Sequence, residues 1–193
     1  MTKIIWIDLD EVLAETVDKV LEKNNNIIWD LYFEKEHLTN YYIYNIPWIN
    51  IDKNKAIDYF RWVLYYDHNL EIKPVLWALE KLLEFKNKGY VLKVITARAD
   101  DLENYTNLWL EKYFPGIFSE VYFANHFTDN HKEKSEICKD LNLSMMIEDN
   151  YDYALDLANN WIKTYLIERP WNKELDIKHE NIIRFKHWGD IWI

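Results

Sequence analysis

Residues Ile4-Ile5-Trp6-Ile7 form an apolar run that ends abruptly in Asp8-Leu9-Asp10-Glu11. A short, wholly apolar run of this kind suits a strand buried on both faces, as in a parallel sheet. In open α/β sheets, ligands gather just beyond the carboxyl ends of the strands. Two aspartates two residues apart at such an end are costly to bury unless a cation or another charged partner balances them. The run therefore predicts both a sheet type and a site.

The rest of the chain fits that sheet. Apolar strand-like segments recur at Tyr90–Ile95, Glu120–Ala124, Leu143–Ile147 and Thr164–Ile167. Between them lie helical patterns. Val75, Leu76, Leu79, Leu82 and Leu83 predict a helix with Pro74 in its first turn and Gly89 as its stop. Leu102, Tyr105, Trp109 and Tyr113 line the next helix, and two more run from about Ser135 to Leu141 and from Tyr151 to Trp161. Five alternations predict an α/β fold with a parallel sheet of about five strands and helices on both faces. Residues 15–72 interrupt the pattern. A helical face formed by Leu13, Val17, Val20 and Leu21 leads into them, and a second helix follows Asp52, a suitable N-cap. They are expected to form a small α-helical cap, with residues 1–14 and 73–193 as the core domain.

Composition narrows the function. A hydrophobic content of 49% with 29% charged residues is that of a globular chain. The net charge of −10 disfavours a polynucleotide or an anionic membrane as partner. A single cysteine, Cys138, excludes an internal disulfide. No apolar stretch approaches the roughly 18–20 residues of a membrane span. Lacking a secretory leader pattern, the chain is expected in the cytoplasm.

Polar residues gather at the predicted strand ends. Asp8 and Asp10 follow the first strand, Thr96-Ala97-Arg98 the second, and Glu148-Asp149 the fourth, while Lys134 opens the helix before the fourth. In a parallel sheet these ends share one edge. They supply oxygens for a hard cation, a hydroxyl, and cations for an anionic substrate, which suits phosphoryl transfer.

This order of motifs resembles the haloacid dehalogenase superfamily of phosphohydrolases. More narrowly, together with Trp109-Leu110-Glu111-Lys112-Tyr113-Phe114 and Arg169-Pro170-Trp171-Asn172, it resembles the C-type 5'(3')-deoxyribonucleotidases and their bacterial relatives. The resemblance implies a Rossmann-like core and a nucleophilic Asp8 that forms an aspartyl-phosphate. It implies Asp10 as proton shuttle, Thr96 as a hydrogen-bond donor to phosphate, and Lys134 as holder of the charge of Asp8 and phosphate. Ala97 and Arg98 would join the substrate site. Mg2+ would be bound by Asp8, the Asp10 carbonyl and Asp149, with Glu148 beside it. The implied substrate is a small phosphorylated metabolite, a nucleoside monophosphate before a sugar phosphate; a homodimer is left open. A catalytically silent fold serving as a binding module is the competing reading, motivated by Glu11, where the family has glycine, and by the aromatic cap.

Other residues have blander expectations. Trp109 and Trp161 read as core, His126 and His131 as solvated, Arg98 as either a phosphate contact or a surface salt bridge, and Lys132 as a rival to Lys134. Of Trp29, Tyr32, Phe33, Tyr42, Tyr44 and Trp48, one or two could face the site, with the remainder filling the cap's small core.

Overall fold

The computed structural model describes residues 3–24, 33–49, 51–65, 67–126, 128, 130, 134–140, 143 and 145–193. Six strands, β1 (Ile4–Ile7), β2 (Val91–Thr96), β3 (Val121–Phe123), β4 (Met145–Glu148), β5 (Lys163–Ile167) and β6 (Ile182–Phe185), form one sheet in the order β3-β2-β1-β4-β5-β6. Every pairing is parallel. The order reverses between β1 and β4, so a crevice opens at their carboxyl ends. Asp8 and Glu148-Asp149 stand at that point.

The alternation of side chains along each strand divides the core. Ile5, Ile7, Val94 and Ile147 pack on one face with Leu82 and Phe85 of α4 (Ala78–Asn87) and Trp109 of α5 (Glu103–Tyr113). Trp6, Ile95 and Met146 pack on the other with Ile137 and Cys138 of α6 (Lys134–Asp140) and Leu157 of α7 (Tyr151–Asn159). Both faces are covered, which is why the strands read as apolar runs.

The segment between β1 and β2 carries α1 (Thr16–Asn24), two 3-10 turns at Lys35–His37 and Ile43–Asn45, α2 (Lys53–Leu64) and α3 (Asp67–Glu71). Asp52 caps α2 by accepting from the backbone N–H groups of Asn54 and Lys55. Val17, Leu21, Phe33, Leu38, Ile43, Ile46, Ile49 and Ala56 form a separate small core, to which Trp171 is added from beyond β5. The segment leaves and rejoins the sheet at one place: Glu15 N donates to Lys73 O (2.9 Å) and Val75 N to Leu13 O (2.8 Å).

That closure explains one departure from expectation. Residues 73–75 pair with residues 13–15 instead of starting a helix, and Trp77 takes a left-handed conformation (φ 64°) before α4 begins at Ala78. Leu76, before the helix, and Leu83, on its outer face, are exposed. Gly89, at φ 86°, ends α4 as expected. Trp161 is not core: it follows the end of α7 at φ 64° and is 82% exposed, whereas Trp109 is fully buried. β6 was not anticipated, because a short edge strand with only Phe185 buried shows no apolar run. Trp29, Tyr32, His131 and Lys132 lie outside the described residues. Among the described residues no helix is long and apolar enough to cross a membrane.

Trp188 ties the C-terminal turn to the site loop, its indole Nε1 donating to Val12 O at 2.8 Å. Replacing Trp188 by Phe leaves that buried carbonyl unsatisfied. A loss of about 1–3 kcal/mol of unfolding free energy is expected, read by urea denaturation.

Candidate active site

Asp8 extends β1 by one residue, its N–H donating to Ile147 O of β4 (2.9 Å). Its carboxylate is buried beside Glu148, the last residue of β4, and Asp149, which follows it. Lys134, at the start of α6, places Nζ 2.6 Å from Asp8 Oδ1 and 2.8 Å from Glu148 Oε2, and 5.0 Å from the Tyr153 ring centre. The other Glu148 oxygen accepts the N–H groups of Asp149 and Asn150 at 3.2 and 3.1 Å.

Three buried carboxylates thus face one ammonium. Burial pushes Asp8 up to about 8 against the pull of Lys134, with Glu148 and Asp10 adding to the rise. Burial, with Glu148 and Asp8, likewise holds Asp149 well above the usual carboxylate range. Burial works against the charge of Lys134 too, but Asp8 and Glu148 outweigh it and raise its affinity for the proton. The cluster is short of positive charge. Asp8, Glu148 and Asp149 each offer an oxygen within 4.8 Å of the others, a donor set that fits a divalent metal ion.

Asp10 has a different environment. Arg98 Nε donates to its Oδ2 (3.0 Å) and Arg98 Nη2 to its Oδ1 (2.7 Å), while the Thr16 hydroxyl also donates to Oδ1. Burial acts to raise Asp10, yet the charge and hydrogen bonds of Arg98, with that of Thr16, hold it below the usual range. Thr96 is buried at the end of β2, and its hydroxyl accepts the N–H of Arg98 at 3.2 Å. Arg98 is no surface residue; its remaining guanidinium nitrogen, Nη1, donates to Asn69 Oδ1 and Thr106 Oγ1. His126 is not simply solvated: Nδ1 lies 3.2 Å from the Tyr153 hydroxyl, and the ring lines the cavity described below.

Glu11 occupies a left-handed position (φ 65°), which explains why glycine suits this place. Its side chain turns inward, accepting the N–H of Val17 at 2.7 Å and pairing with Lys35 at 2.5 Å. Arg169 Nε grips the Glu11 carbonyl at 2.8 Å. Trp171 Nε1 donates to Asp149 Oδ2 (3.1 Å), and Asn172 Nδ2 to Asp149 O (2.7 Å) and Ile167 O (2.9 Å). The run Arg169-Pro170-Trp171-Asn172 therefore holds both the Glu11 loop and Asp149. The run was visible in the sequence, but these roles were not. Thr16, Asn69, Thr106 and Tyr153 carried no signal at all.

A cavity of about 170 Å³ opens from Asp10, Ala97, Arg98 and Asp149. Its far wall is largely apolar and aromatic, including Tyr41, Tyr42, Tyr44, Phe60 and Trp171. Tyr42 and Tyr44 stack with centroids 5.4 Å apart, and Tyr41 packs edge-on against Trp171 and Tyr153.

No family model matches the sequence. A nucleotidase of Clostridium acetobutylicum is 30% identical over 155 residues, spanning 80% of this chain and 74% of that protein. Among solved structures, a phosphoglycolate phosphatase predicted in Haemophilus somnus superposes with a TM-score of 0.65 at 15% identity, over 98% of this chain and 96% of that one. A haloacid dehalogenase superfamily hydrolase of subfamily IA from Geobacter sulfurreducens gives 0.60 at 14% identity, over 97% and 96%. The chain belongs to the haloacid dehalogenase superfamily of phosphatases. As such it is a phosphoric monoester hydrolase.

In this superfamily member the excess of buried acid has a consequence for stability. An acid whose pKa is raised on folding binds more protons when folded, so stability falls as pH rises from the unfolded value, near 4, through the folded value of about 8 for Asp8. In a chelator the protein is expected to melt at lower temperature at pH 8 than at pH 6. Excess divalent cation should raise the melting temperature more at pH 8, and Asp8→Asn should flatten the metal-free slope; calorimetric scans at both pH values read both effects.

Proposed function

We propose that the protein is a Mg2+-dependent nucleotidase that hydrolyses a nucleoside monophosphate through an aspartyl-phosphate on Asp8. The reading is carried by one observation: the Asp8–Lys134–Glu148–Asp149 cluster adjoins, through Asp149, a cavity with aromatic walls that Asp10 and Arg98 also line.

Each residue has a task in that reading. An Asp8 oxygen attacks the phosphorus, and the bond from phosphorus to the leaving oxygen breaks as Asp10, protonated for this step against the pull of Arg98, gives that oxygen its proton. Asp10 then takes a proton from a water whose oxygen attacks the phosphorus, releasing phosphate and restoring Asp8. Lys134 offsets the repulsion between Asp8 and the incoming phosphate. The Thr96 hydroxyl donates to a phosphoryl oxygen. Asp8, Asp149 and the Asp10 carbonyl, with Glu148 beside them, would hold Mg2+, whose charge would neutralise phosphoryl oxygens.

The nucleotide assignment rests on the opposite wall. Residues 15–72 act as a helical cap whose rings roof the cavity. Tyr42 and Tyr44 give a base a planar surface to stack on. Arg61, at the cavity wall, is engaged with Asp101 and the Tyr65 hydroxyl, which favours a monophosphate over a longer phosphate chain. The relative in Clostridium acetobutylicum bears the name nucleotidase.

A panel of nucleoside monophosphates, sugar phosphates and 4-nitrophenyl phosphate, each with Mg2+ or with chelator, tests the proposal. Turnover of nucleotides that stops in chelator is expected; turnover of sugar phosphates alone would remove the nucleotide assignment. Asp8→Asn should abolish turnover while leaving the circular dichroism spectrum unchanged. Tyr44→Ala should raise KM for nucleotides about tenfold, the value of one lost stacking contact, with little change in KM for a sugar phosphate.

A further inference from the structure

The Arg98 side chain is 1% exposed, while that of its partner Asp10 is 29% exposed toward the cavity. Both residues border the cavity, but the guanidinium is far less exposed than the carboxylate it grips. Four of its five N–H donors are engaged: two in a fork on Asp10, and two on Asn69 Oδ1 and Thr106 Oγ1 at 3.2 and 3.1 Å. Asn69 and Thr106 are themselves fully buried, and Asn69 is anchored by donating to Tyr105 O at 2.6 Å. Three elements, the end of β2, α3 and α5, thus converge to fix one guanidinium.

The same geometry restricts Asp10. A carboxylate has about four acceptor positions. Arg98 fills two and the Thr16 hydroxyl a third. The plane of the carboxylate cannot turn without breaking a two-point contact, a restriction a single-point lysine would not impose.

We infer that Arg98 is a positioning residue: it sets the Asp10 carboxylate at the angle from which a proton reaches the leaving oxygen, and it does not itself hold the phosphate. The inference rests on the proposed role of Asp10. It makes Arg98, with Asn69 and Thr106 behind it, part of the determinant of which leaving groups the enzyme expels well.

Leaving-group dependence separates positioning from phosphate binding. A nucleoside leaves as an alkoxide that needs a proton, whereas 4-nitrophenolate leaves without one. The quantity to follow is kcat/KM, which covers the steps up to transfer onto Asp8. In Arg98→Met, kcat/KM for a nucleoside monophosphate should fall about a hundredfold, the scale of general acid catalysis, while that for 4-nitrophenyl phosphate and the inhibition constant of inorganic phosphate stay unchanged. Arg98→Lys should recover part of the loss. Both substrates are read on one sample, so any unfolded fraction cancels in their ratio. An equal loss on both substrates, or weakened inhibition by phosphate, would overturn the inference and leave the nucleotidase reading standing. A parent enzyme that hydrolyses neither ester would remove the nucleotidase reading and this inference with it.

Discussion

The ammonium of Lys134 is the charge on which the rest of the site depends. Three carboxylates at the switch point of the sheet could not be buried together in water-free surroundings without it. Its position follows from topology, since α6 leads into β4 and so delivers its first turn to the edge where β1 and β4 end. Yet one ammonium does not neutralise three acids. The donor set fits a divalent cation, whose charge would keep such buried carboxylates ionised.

Around that deficit the protein treats its two motif aspartates oppositely. Asp8 is short of cations, and Asp10 has a whole guanidinium to itself. One fully buried residue, Leu9, separates them, and each carboxylate has its own cation, Lys134 for Asp8 and Arg98 for Asp10. The two carboxylates thus differ in the charge that each one meets.

The sheet and the motif residues were legible because burial on both faces writes an apolar run, and each run ended in its polar group. Elements that lack such a run were not legible. β6 is a half-exposed edge, and Trp161 looked like a continuation of α7 because a left-handed residue leaves no mark in a helical pattern. Trp77 hid the start of α4 in the same way. The support of the site was the least legible part. Asn69 and Thr106 meet Arg98 from 29 and 8 residues away, and Trp171 meets Asp149 from 22, through contacts that the fold alone creates. Glu11 is the instructive case. As a departure from glycine it motivated the reading of a silent binding module, but its carboxylate is engaged within the fold by the start of α1 and by Lys35.

The closure of the insertion at residues 13–15 and 73–75 has a wider meaning. Its two ends are joined by main-chain hydrogen bonds, so the cost of bringing them together is met at the neck, independently of what lies between. Chain length and sequence beyond the neck can then vary without disturbing the register of β1 against β2. A fold so built can vary the far walls of the cavity, while Thr16 and Asn69, just inside the neck, stay tied to Asp10 and Arg98.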